Sequence, residues 1–344
     1  LHTHLPICDL EQAKRAALLC KADLTTGLVG EFPELQGNAG RLYALKQGED
    51  PKVAQAIDEH WMPRGEKAPL PQSPIGVLLS IADKIDNLLS CFAIGLIPTS
   101  SSDPYALRRQ CLGLIRMVIE GRHFLPLPTL LNAAYDRFIQ NPSLHLKLKK
   151  EAILKPLFPF FTARLRTVFH ESGFEKDEIE AVLSRELKDV YDSYRLVDAL
   201  HTFRNESPGE LADILEFYTR TKKILLSQNP SLKPRSQHQS RAEDYPAVNA
   251  KLFENENEKY LFQKLEEIKK AFHESIHDRR DLEKRDYLKA FVLLAELKSP
   301  VSALFDNVMI LDKNPEIKTN RLALLHEVWD LAEELLDFSK IQES

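Results

Sequence analysis

Proline placement constrains this chain more than any other feature. Prolines follow a short polar residue at Asp50-Pro51, Ser73-Pro74, Asp103-Pro104, Asn141-Pro142, Ser207-Pro208 and Ser299-Pro300. In each pair the polar side chain can accept an orphan backbone N–H at a helix start. Proline at the first helical position lacks the N–H that would go unpaired there. "SPGE" at 207–210 also puts Glu210 at the third helical position, the pattern of a capping box. Apolar residues after each pair recur with helical rather than alternating spacing. In the last segment Leu325, Val328, Ala332, Leu335 and Leu336 form one apolar stripe, with Glu327, Glu333 and Glu334 off it. Alternating β-branched runs are nearly absent. The pattern predicts an all-α chain.

At roughly 100–200 residues per domain, 344 residues suggest two or three domains. Apolar residues make up 43%, enough for a core, and charged residues 28%, enough for a solvated surface. A net charge of −5 argues against a uniformly basic nucleic-acid binder but leaves room for a local basic patch. The 4 cysteines, Cys8, Cys20, Cys91 and Cys111, form no CxxC pair, as expected of a chain in a reducing cytosol. No apolar run reaches the ~18 residues of a membrane span. The opening "LHTHLPICDLEQAKRA" has neither a basic leader nor a methionine, so an excised piece of a longer chain is expected. "RHFLPLPTL" (122–130) interrupts the helical pattern and marks a first boundary, and "NESPGE" starts a new unit. The stretch 227–246 reads as a long exposed loop.

Two motifs suggest metal chemistry. "IADKIDNL" (81–88) resembles the helix that presents the last metal ligand of an HD-type phosphohydrolase, here Asp83. "AALLCKADLTTGLVGEF" (16–32) resembles its His-Asp helix, with Asp23 at the aspartate. The histidine position is Ala22, which has no lone pair, so a metal shell that activates water cannot close. Asp23 and Asp83 are then remnants that orient helices, and no metal is expected. "HESIH" (273–277) is formally HExxH, with His273 and His277 on one helix face and Glu274 as base. The charged "DRRDLEKR" that follows is the wrong setting for a zinc-protease helix.

Charge gives a third signal. From Thr219 to Arg241 the chain carries Arg220, Lys222, Lys223, Lys233, Arg235 and Arg241 and no acid. Lysine and arginine contacts to phosphate supply most non-specific nucleic-acid affinity. Arg108, Arg109 and Arg116 could form a second basic face, although Arg108 and Arg109 point about 100° apart on one helix.

Three segments carry a family resemblance: "CKADLTTGLVGEFPELQGNAGRLYAL", "SPIGVLLSIADKIDNLLSCFAIGLIPTSSSDPYALRRQCLGLIRMVIEG" and "ELKSPVSALFDNVMILDKNPEIKTNRLALLHEV". Together they resemble the C-terminal half of the β subunit, or the β region of a fused chain, of bacterial tetrameric-type glycyl-tRNA synthetase. The resemblance implies a degenerate HD-like helical domain over 1–125, a connecting helical module over 126–205 and an anticodon-binding helical domain over 206–344. It implies tRNA recognition for a glycine–tRNA ligase, with no catalytic residue in this chain. ATP and Mg²⁺ belong to the α part, in an α2β2 or fused dimer in the cytoplasm. On this view Arg220, Lys222 and Lys223 meet tRNA phosphates. Asn320 and Arg321, at the start of the final amphipathic helix, are candidates for RNA contact from a rigid element, and Asn307 is a candidate for a base edge or a helix cap. The rival readings are an HD-type nucleotide phosphohydrolase and a purely structural module of the synthetase.

Overall fold

The structure is a computed structural model that describes residues 1–65, 67–99, 101–140, 149–232, 245–276 and 282–342. Among these residues every regular element is helical, apart from one isolated bridge between Thr99 and Ser102. The chain is therefore all-α, as its periodicity predicts. No helix among the described residues is long and apolar enough to cross a membrane.

Two compact units form. The first comprises Leu1–Glu171 and Leu187–Tyr191, the second Ser172–Glu186 and Asp192–Ser344. The expected connecting module over 126–205 is not a third body, because its residues are divided between these two.

The first unit holds α1 (Leu10–Leu19), α2 (Gly27–Glu31), α3 (Asn38–Lys46), α4 (Pro51–Glu59), α5 (Pro74–Ala93), α6 (Leu107–Glu120), α7 (Leu127–Phe138) and α8 (Lys150–Glu171). Its axis is α5, which packs against α1, α4, α6, α7 and α8. Ile81, Leu88, Leu89 and Phe92 of α5 are almost wholly buried. Each such side chain stabilises the fold by ~1.5–3 kcal/mol relative to exposure. At 122–130 one helix gives way to another, since α6 ends at Glu120 and α7 begins at Leu127, but both helices lie in the first unit and the stretch does not divide the two units.

The second unit holds α9 (Lys176–Leu183), most of α10 (Val190–Glu206), α11 (Pro208–Gln228), α12 (Glu256–Ile276), α13 (Tyr287–Ala295), α14 (Lys298–Asn307) and α15 (Pro315–Glu333). Phe272, Phe291, Phe338, Tyr218 and Trp329 fill its core. All five residues of the expected C-terminal stripe are buried. Glu333, expected off the stripe, is buried as well. It accepts a hydrogen bond from the Tyr218 hydroxyl, which supplies the partner a buried carboxylate requires.

The proline pairs divide by outcome. Asp50 and Ser73 cap α4 and α5, accepting from Lys52 N at 2.7 Å and Gly76 N at 3.0 Å. Asp103 also caps, but its helix begins only at Leu107. Its two carboxylate oxygens accept from Leu107 N at 2.8 Å and Arg108 N at 3.0 Å. Between them Ala106 takes a left-handed φ of 52°. Ser207 precedes α11 without a side-chain cap, so the expected box with Glu210 does not form. Ser299-Pro300 lies just inside α14, which starts one residue earlier. Asn141-Pro142 and most of the loop expected at 227–246 lie outside the described residues.

Candidate functional site

In the first unit the HD-like remnants lie within a buried polar cluster. Asp23 is 2% exposed, and its Oδ2 accepts from Gly37 N at 2.6 Å and Gly40 N at 3.2 Å. It thus secures the start of α3. Asp83, on α5, pairs with Lys21 at 2.9 Å and accepts from Asn87 at 3.2 Å. The Lys21 ammonium also lies 3.8 Å from the Trp61 ring centroid, a cation–π contact.

Sequence reading missed His60. Its imidazole is fully buried just past α4, and Nδ1 donates to the Ile57 carbonyl at 2.6 Å. Burial first, and then the Lys21 charge, push its pKa down to about 4. The signal was present: Val53, Ile57 and His60 follow helical spacing in "VAQAIDEHW", which places the histidine on the inward face. Lys84 is buried beside it. Its ammonium donates to Met62 O at 2.8 Å, Ser80 Oγ at 2.7 Å and His60 O at 3.5 Å, which uses all three protons. Burial lowers its pKa to about 8.

This donor set does not fit a catalytic metal. Ala22 offers nothing, one oxygen of Asp23 serves two backbone amides, and Asp83 is held by Lys21. Asp23 Oδ1 and His60 Nε2 are buried without a hydrogen-bond partner among the described residues. His60 nevertheless stands in the field of two ammonium groups, which would repel a dication. The described residues contain no group of three or more His, Cys, Asp or Glu side chains able to hold a metal. His273 of the HExxH string meets Glu334 at 3.1 Å, and His277 lies outside the described residues.

The second unit separates the six candidate RNA contacts. Arg220, near the middle of α11, is exposed and lays its guanidinium 4.2 Å from the Phe305 ring centroid on α14. Asn307, exposed at the end of α14, donates to the Ala303 carbonyl at 2.9 Å. Met309, two residues on, is 69% exposed. Lys223 is exposed on α11. Lys222 instead turns inward, 3.3 Å from the Tyr218 hydroxyl and 3.7 Å from Asp337. Asn320 and Arg321 do not project from α15, since each is 4% exposed. Asn320 exchanges two hydrogen bonds with the Asn249 backbone, at 2.7 and 3.1 Å. Arg321 pairs with Glu258 and Asp312, each at 2.7 Å, and with Glu254 at 3.3 Å, and donates to Met309 O at 3.0 Å. These groups hold the unit together and offer no free edge. In the first unit, Arg108 and Arg116 are likewise engaged, with Asp103 and Glu120, while Arg109 is exposed.

Residues 2–184, more than half of the chain, match the family model described as Glycyl-tRNA synthetase beta subunit. The chain belongs to that family. Residues 214–343 match the model described as DALR anticodon binding domain. The chain is 36% identical over 335 residues to the glycine–tRNA ligase beta subunit of Syntrophomonas wolfei, covering 96% of this chain and 44% of that one. It is 37% identical over 331 residues to that of Desulforamulus reducens, again with 96% and 44% covered. For Clostridioides difficile the figures are 35% over 327 residues, with 95% and 44% covered. The chain thus spans less than half the length of the beta-subunit relatives it matches. The beta-subunit match contains the whole Asp23–His60–Asp83 cluster, and the anticodon-binding match contains Arg220, Phe305 and Asn307.

Proposed function

We propose that this chain is the tRNA-recognition portion of a glycine–tRNA ligase, and that it binds and positions tRNA for glycine while a separate α part carries out the ATP- and Mg²⁺-dependent chemistry. The observation that carries this reading is the anticodon-binding match over 214–343, in a helical unit whose surface presents Arg220 stacked on Phe305. Single-stranded RNA bases are read by stacking on flat groups and by hydrogen bonds to their edges, with cations on the backbone. Arg220 with Phe305 supplies the flat group, Asn307 an amide for an edge, and Lys223 a phosphate charge. Met309 adds an exposed apolar contact. Lys222, Asn320 and Arg321 have no part in this mechanism, because the fold consumes them. Assembly as an α2β2 or fused dimer in the cytoplasm belongs to the same reading.

The phosphohydrolase reading is disfavoured by the pocket chemistry, where lysines stand against the carboxylate and the imidazole. The test is binding of glycine-specific tRNA to the full chain across a salt series. Arg220→Ala with Lys223→Ala is expected to weaken binding and flatten the slope of log K against log salt by about 0.7–0.9 per lost contact. An unchanged slope removes these two residues from the interface. A chain with no salt-sensitive affinity at all would be a structural module.

A further inference from the structure

The pocket around Asp83 rejects a metal, yet its charges are not left unbalanced. A buried or half-buried carboxylate requires a cation or several donors. Asp83 has both: the Lys21 ammonium at 2.9 Å and the Asn87 amide at 3.2 Å. Lys21 is itself fixed from a second direction by the Trp61 ring. From Asp83 the hydrogen bonds continue outward. Asn87 Nδ2 also donates to Gln110 Oε1 at 3.0 Å, and Gln110 Nε2 donates to the Tyr105 carbonyl at 3.0 Å. The chain of contacts ends at the turn that enters α6, where Ala106 holds its left-handed φ of 52°. A non-glycine residue in that region persists only when its neighbours over-determine it. Asp103 pins the turn from one side and Gln110 from the other.

We infer that Lys21 is the resident cation of this pocket: its ammonium brings Asp83 the charge that a metal ion would bring, and through Asp83, Asn87 and Gln110 it positions the Tyr105–Arg109 turn. That turn presents exposed Tyr105 and Arg109 to solvent. Lys21 is on this account a positioning residue, and the unit needs no divalent ion. The inference rests on contacts within the first unit and stands whether or not the second unit binds tRNA.

The test uses the full chain and hydrogen exchange at the Leu107, Arg108 and Gln110 amides. Lys21→Met keeps the aliphatic stem and removes the charge, and it is expected to speed exchange there about tenfold. Lys21→Arg, which restores a cation, is expected to return exchange to near the parent rate. Asp83→Asn placed on top of Lys21→Met removes the stranded carboxylate, and should recover more than half of the loss. Should Lys21→Met fail to fold, Asn87→Ala cuts the same route farther out and should speed exchange at the same amides. Chelator is expected to leave the parent protein's melting unchanged, with no stoichiometric Mn, Fe or Zn in the purified chain. Three results would each overturn the inference. They are unchanged α6 exchange in Lys21→Met or Asn87→Ala, losses from Lys21→Met and Asp83→Asn that simply add, and melting that depends on a bound divalent ion.

Discussion

His60 is a neutral imidazole buried between opposing charges, and that makes its protonation a stability question. In the fold it takes a proton only near pH 4, whereas an unperturbed histidine does so near pH ~6.5. Between those values the unfolded chain binds more protons than the folded one. Stability therefore rises with pH through the window and is lost on acidification, by ~3 kcal/mol in full. Denaturant unfolding from pH 7 to pH 4 should show this loss, and His60→Asn should flatten the curve in that range. A slope identical to the parent's would place the acid sensitivity elsewhere. The same scale shows what could not be read from sequence. Asn320 and Arg321 lie in the second turn of an amphipathic-looking helix, where a polar residue suggests a surface. Their partners, Glu258, Asp312 and Asn249, are distant in sequence except for Asp312, and nothing local announces that they converge on α15. Lys222 is turned inward in the same way by Tyr218 and Asp337. By contrast Asp23 and Asp83 each stand out in sequence as an acid within an otherwise apolar helical pattern, although the partners they take, the Gly37 and Gly40 amides and Lys21, are not announced locally.

At the scale of elements, the junction of α4 with α5 shows how closely packing and capping are coupled. The Glu59 carboxylate, 6% exposed as a residue, accepts from Ser73 N at 3.0 Å, Gln72 N at 3.3 Å, Gln55 Nε2 at 2.8 Å and the Ser73 hydroxyl. A Cβ on Gly76 would sit 2.8 Å from Glu59 Cβ and 2.9 Å from Ser73 Oγ. Gly→Ala in a helix ordinarily stabilises it by about 0.8–1.0 kcal/mol. Gly76→Ala is instead expected to destabilise by ~1–3 kcal/mol through overpacking. Gly30→Ala in α2, where a new methyl meets nothing within 4 Å, is the control and should be neutral or better. Equal thermal shifts in the two variants would refute the close approach. Helix starts were legible wherever the polar residue was free to cap, as at Asp50 and Ser73. They were less so where tertiary partners decided. A capping box does form, but at Glu175 and Glu178, where His201 and Arg204 hold the buried Glu178. Pro156 and Pro159 lie inside α8, which continues through both although each removes a backbone donor.

For the whole molecule, the family and the all-α class were readable because they rest on long, contiguous sequence. The division into units was less so, since a break in periodicity marks where a helix ends and not which body the next one joins. Residues 172–186 and 187–191 fall to different units with no compositional change between them. The proposed division of labour makes a prediction at this scale. Given glycine, ATP, Mg²⁺ and tRNA, the chain alone is expected to form no glycyl-tRNA, and charging should appear only when an α part is added. Charging by the chain alone, measured by acid-stable aminoacylation, would refute that.

The first turn of α5 carries a further consequence. A helix N-terminus, with its unpaired amides and positive dipole end, is a ready seat for an anion. Here the protein's own Glu59 already sits on the amides of Gln72 and Ser73. A free nucleotide arriving at this end of α5 would meet a carboxylate rather than bare amides, and like charge would turn it away.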